Sequence, residues 1–95
     1  MSVEDDIKAR IAAEQQKVKD KLMSRRQAYV SVFKGPVAED VLADLAVFCR
    51  AEQSTFELDP RVHALQEGRR EVWLRIQDHV ALSPDELFAK YSGSR

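Results

Sequence analysis

The sequence predicts an all-α protein: a long N-terminal helix, an antiparallel helical hairpin and a short C-terminal helix. Three observations carry that prediction. Only 3 Gly and 3 Pro occur in 95 residues, too few for the turns an all-β chain needs. Each Pro sits where a helix can start. Between those points, apolar residues recur at helical rather than strand spacing.

The elements follow in order. The first helix spans about residues 3–33, with Asp5 and Asp6 near its start, where acids favour the dipole. Gly35-Pro36 closes it and opens a second helix over about 36–52, Pro36 suiting a first turn whose N–H has no partner. Val37, Val41, Leu45 and Phe48 line one face there, widened by Leu42 and Cys49. Asp59 caps a third helix over 60–80, with Pro60 at its first position. Val62, Leu65, Val72, Trp73, Ile76 and Val80 form its apolar face, so the second and third helices are expected to supply the core. The link between them, near residues 52–59, is expected to tuck Phe56 and Leu58 onto that core. Gly68 costs roughly 1 kcal/mol in mid-helix, which a close helix contact or a bend would explain. Ser83-Pro84-Asp85-Glu86 starts a fourth helix over 84–91, with Ser83 and Glu86 spaced for a capping box. Leu87, Phe88 and Tyr91 then close one side, and residues 92–95 read as a frayed tail.

The first helix is unlike the others. Ile7, Ile11, Val18, Leu22, Tyr29 and Phe33 form a thin stripe interrupted by Glu14, Gln15, Arg25 and Arg26. A helix of about 30 residues runs roughly 45 Å, longer than the rest of the domain is wide. Residues 1–27 are therefore expected to project, with 28–91 as the compact helical domain. Ile7, Ile11, Val18 and Leu22 are the expected contact with a partner helix, a homo-oligomer being the simplest case; a solvated arm is the alternative.

A charged fraction of 33% and an apolar fraction of 44% leave enough apolar residues for a small core. No run of apolar residues is long enough to span a membrane, and MSVEDDIKAR lacks the apolar stretch of a secretory signal. The lone Cys49 excludes an internal disulfide framework. The net charge of -1 is unevenly spread. Residues 1–35 carry eight Lys or Arg against five acids, and residues 36–95 seven against eleven. Lys17, Lys19, Lys21, Arg25 and Arg26 form a basic run that could meet a polyanion, or serve as a solvated helix face. The overall charge and the lack of helix-turn-helix spacing weigh against a dedicated nucleic-acid binder, so any such binding is expected to be weak.

Enzymatic chemistry finds little support. There is no glycine-rich phosphate loop and no His-Glu-x-x-His. His63, His79 and Cys49 lack metal-ligand spacing, and Cys49 on an apolar face stays an inert thiol. His79 near a helix end favours the negative end of the dipole. No cofactor is expected. Arg69 is the exception to this bland pattern, because it falls between Leu65 and Val72 on the apolar face. Such an Arg must snorkel, bind an acidic partner or phosphate, or pair with an acid, and Asp44 on the second helix is the nearest candidate for an ion pair.

Three stretches together resemble a known family: Tyr29-Val30-Ser31-Val32-Phe33, the run from Val41 to Cys49, and Glu67-Gly68-Arg69-Arg70-Glu71-Val72-Trp73-Leu74-Arg75-Ile76. They are similar to small tailed-phage proteins named after a Bordetella podophage member, over about residues 28–88. The resemblance implies a compact helical protein encoded among phage head and packaging genes, and it assigns no catalytic or binding residue. It leads to the expectation of a non-enzymatic phage assembly or virion component. Its partners would be phage structural or packaging proteins, met in the host cytoplasm or in the particle. The alternative is a nucleic-acid-binding accessory in DNA packaging that uses residues 17–34.

Overall fold

The computed structural model describes residues 2–92. Among them lie four helices and no strand: α1 (Val3–Phe33), α2 (Pro36–Phe48), α3 (Pro60–Ala81) and α4 (Pro84–Tyr91). Three of the four starts are the signals read in the sequence. Asp59 accepts from the Arg61 N–H at 2.8 Å, and Pro60 follows in the first turn. Ser83 and Glu86 form the full capping box. Gly35, at φ 109, turns the chain between α1 and α2 in a backbone conformation that L side chains rarely adopt. At the start of α1, the Ser2 side chain accepts from the Asp5 N–H at 3.2 Å. Of the tail expected at residues 92–95, all but Ser92 lies outside the described residues.

α2 ends four residues earlier than its sequence suggests. The Arg50 N–H bonds Val47 O, the Ala51 N–H bonds Ala46 O, and Arg50 itself takes a left-handed φ of 53. This is a Schellman stop with an arginine where glycine is usual. The Arg50 guanidinium compensates: it donates to Ser54 O and to Gln66 Oε1 at 3.0 Å and faces Glu57 at 3.7 Å. Those contacts fold the loop back on the start of α3. There the Thr55 hydroxyl also donates to Glu67, and the Arg70 guanidinium reaches Gln53 O.

The buried residues gather where α1 crosses α3 and α4. Leu22, Ile76, His79 and Leu87 are all buried there, His79 and Leu87 completely. Cys49, Ala38 and Thr55 are buried nearer the two turns. The expectation that α2 and α3 supply the core is therefore corrected. Val37, Val41 and Phe48 on α2 are exposed, as are Val62, Leu65 and Val72 on α3. α3 turns His79 toward Tyr29 on α1 and Tyr91 on α4 and keeps Trp73 and Val80 half-buried, while Val62, Leu65 and Val72 stay exposed. Phe56 and Leu58 do not tuck in; they are 69% and 90% exposed, and the Phe56 ring rests edge-on against His63. Gly68 has open space where a Cβ would stand, so no close helix contact requires it. The body is flat, 59 × 36 × 14 Å across its Cα atoms, room for no more than two helices in depth.

Candidate functional site

The stripe on α1 divides into two parts. Ile7 and Ile11 are about half exposed at 51% and 54%, and Val18 is 40% exposed. Leu22, expected in the same partner contact, is instead buried within the chain at 6% exposure. It belongs to the crossing with α3 and α4, because α1 docks earlier than residue 28. Val18 already lies beside Phe88 in a shallow groove, and the Lys19 ammonium sits 4.9 Å above the Phe88 ring. The free arm is thus shorter than expected and carries Ile7 and Ile11, with Val18 at its edge.

The basic segment divides in the same way. Lys17 is exposed and pairs with Glu14 at 3.2 Å. Lys21 is exposed and borders a shallow cavity of about 260 Å³ shared with Leu22, Arg25, Arg75 and Tyr91. Arg25 and Arg26 point inward and hold α1 to the rest of the chain. Arg26 Nε donates to Leu82 O at 2.7 Å, at the end of α3. Arg25 Nε donates to His79 Nε2 at 2.8 Å. Of the five expected polyanion contacts, these two and Lys19, over Phe88, are engaged in the fold.

His79 is the hub of that crossing. Its Nδ1 lies 2.7 Å from Arg75 O and its Nε2 accepts from Arg25, which fixes the neutral tautomer with the proton on Nδ1. Tyr29 stacks on the ring at 4.3 Å between centroids, and Tyr91 lies 5.4 Å away. Burial holds the imidazole below its usual pKa, the two nearby arginines add to that effect, and the hydrogen bond with Arg75 O opposes it. Neither ring nitrogen is open to take a proton from a substrate. Next to it, Asp78 accepts from Tyr91 Oη and from Lys90 Nζ, both at 2.7 Å. Partial burial raises its pKa, but those two hydrogen bonds and the Lys90 charge leave it below the ordinary value. The Tyr91 hydroxyl is raised, first by burial and then by Asp78. Local sequence features suggest only a helix-end role for His79, its metal-ligand spacing being absent. Its spacing after Val72 and Ile76 puts it on the apolar face, and that was the available signal.

Arg69 does not meet Asp44. Its guanidinium lies 4.4 Å from the Phe48 ring centroid, while Asp44 is exposed. Among the described residues the ion pairs are Lys17–Glu14, Arg50–Glu57 and Lys90–Asp78. A cation–π contact with Phe48 stands in place of the expected carboxylate. His63 contacts Thr55 O at 3.0 Å, and Cys49 is buried, so these two and His79 lie in three separate surroundings. No helix among the described residues is long and apolar enough to cross a membrane.

Comparison with known proteins gives one family match. The model of a family described as Bbp19-like phage protein matches residues 29–91, about two-thirds of the chain. That range opens at Tyr29 and closes at Tyr91, the two rings that flank His79. No curated protein and no solved structure matches.

Proposed function

The chain belongs to the Bbp19-like phage proteins, and on that premise we propose that it is a non-enzymatic component of phage assembly or of the virion. It works through protein–protein contacts made in the host cytoplasm during assembly or within the particle. The observation that carries this reading is the arm of α1, where Ile7 and Ile11 remain half exposed on a helix whose later turns are anchored by Leu22, Arg25 and Arg26. An amphipathic helix gains most of its stability by packing its apolar face. A second helix laid along Ile7, Ile11 and Val18 supplies that packing, from a phage structural or packaging protein or from another copy of the chain. Glu14 and Gln15 within the stripe keep the contact modest and select its register.

The nucleic-acid reading has less behind it. Arg25 and Arg26 bind the chain's own groups, Lys19 sits over the Phe88 ring, and Lys17 faces Glu14. Phage carrying Ile7→Glu and Ile11→Glu test the arm directly. Loss of particle yield, with the purified variant still helical and melting as the parent does, is the expected result. Wild-type yield and incorporation would reject the arm as the contact.

A further inference from the structure

We propose that the cavity where α1, α3 and α4 meet binds a phosphate group, free or carried as a monoester on a small molecule. The cavity holds about 260 Å³, and its lining residues include Lys21, Arg25 and Arg75 but no acid. Lys21 and Arg25 stand one turn apart on α1 and so share a face. Arg75 joins them from α3 and Tyr91 from α4. The guanidinium carbons of Arg25 and Arg75 each lie 5.5 Å from the centroid of the Tyr91 ring, which sets the two arginines around one point.

The fold does not use these charges up. Among the described residues Lys21 and Arg75 enter no side-chain hydrogen bond and no ion pair. Arg25 spends Nε on His79, and no acceptor among the described residues meets its two Nη groups. Asp78, the acid that accepts from Tyr91 Oη, is neutralised by Lys90 at 2.7 Å. Burial first, and then the charges of Arg25 and Arg75, hold His79 below its usual pKa, so the field of both cations persists at the crossing. Leu22 lines the same cavity, and a low-dielectric wall beside charges of one sign focuses their pull on an anion.

Charge and size choose the ligand. A carboxylate brings one charge and two oxygens, which a single guanidinium fork satisfies. A phosphate monoester carries about −1.5 to −2 charge at pH 7 and three acceptor oxygens. Three cations around one cavity match that group, and Ser92, also on the lining, adds a hydroxyl donor. Pockets for whole organic ligands begin at about 300 Å³, so this one takes a charged head group and little beyond it. A polynucleotide backbone fits less well, because each of its phosphodiesters brings a single charge.

The test is calorimetric titration of the purified full chain at pH 7.5 and fixed ionic strength, with inorganic phosphate, a mononucleotide and acetate as probes. Phosphate should bind saturably with a Kd of about 1 mM or tighter, and acetate much more weakly. Lys21→Gln and Arg75→Gln should each raise the phosphate Kd about tenfold, while Lys17→Gln leaves it unchanged. Lys21 is exposed and holds no other side chain, so Lys21→Gln decides the matter should Arg75→Gln lose helicity by circular dichroism. Phosphate should also move the Arg25 Nε–H resonance, which binding elsewhere on the chain would leave in place. A mononucleotide that binds as tightly as phosphate or more tightly supports the site and assigns it to a phosphorylated small molecule. One that binds more weakly supports it as a site for free phosphate. Acetate binding as tightly as phosphate overturns the proposal, as does a Kd that ignores Lys21→Gln or the lack of any saturation. An equal loss in Lys17→Gln overturns it too, in favour of a diffuse basic helix face.

Discussion

Arg25 and His79, 54 residues apart, share a hydrogen bond of 2.8 Å between Nε and Nε2 at the crossing of α1 and α3. The bond puts a permanent cation against an imidazole that therefore has to stay neutral. The stacked Tyr29 ring excludes water from one face, and Arg75 O holds the proton on Nδ1. A charged His79 would lose its acceptor nitrogen and gain a repulsive neighbour in one step.

Stability should therefore fall in mild acid. The folded-state pKa of His79 lies below the ordinary 6.5, so between the two values the unfolded chain binds the proton more readily. The stabilisation is complete above pH 6.5 and is lost as pH falls below it, toward and through the lowered folded value. Melting curves from pH 8 to pH 5 should show Tm dropping in the lower half of that range. His79→Gln should lower Tm at pH 7.5 and flatten the decline. An unchanged slope in the variant would show that His79 is not the titrating group.

Arg25→Ala should cost about 1–3 kcal/mol, since it leaves the buried Nε2 of His79 without a donor. Arg26→Ala removes the donor to Leu82 O at the end of α3 and should cost less, about 1 kcal/mol, because water can reach a helix-end carbonyl. Urea unfolding of the two variants should preserve that order.

Truncation should separate arm from anchor. Removing residues 1–14 deletes exposed helix and should leave Tm close to that of the full chain. Removing residues 1–24 also takes away Leu22, whose burial is worth about 2–5 kcal/mol by comparison with large-to-small core substitutions. A gradual loss of stability across both truncations would contradict docking that begins near Val18.

Arg69→Ala should be mild, about 0.5–1 kcal/mol in monomer stability, the usual value of a partly exposed cation–π contact. The ion pair expected from the sequence would have made the same substitution cost about 3–5 kcal/mol. Thermal melts of the variant distinguish the two accounts.

Helix starts were readable in the sequence because capping is local. Ser83 and Glu86, or Asp59 and Pro60, lie within one turn of each other and need no distant partner. The stop of α2 was less readable, because an arginine at φ 53 persists through contacts with Ser54, Gln66 and Glu57. Periodicity identified the apolar faces of α2 and α3, but a face is apolar whether its cover comes from the same chain or another one. The family resemblance also lay in the sequence, and the match over residues 29–91 bears it out.

The sequence alone determined the helical class, the four elements and most of their ends, since these follow from spacing and capping within a few residues. Only the tertiary structure decided which residues are buried together. It drew Leu22, Arg25 and Arg26 out of the expected outward contacts and made His79 a neutral hub. It also set Arg69 on Phe48 instead of Asp44. The reason is physical: the angle at which α1 crosses α3 and α4 is set by packing between residues more than fifty positions apart. A pattern read one helix at a time carries no information about that angle.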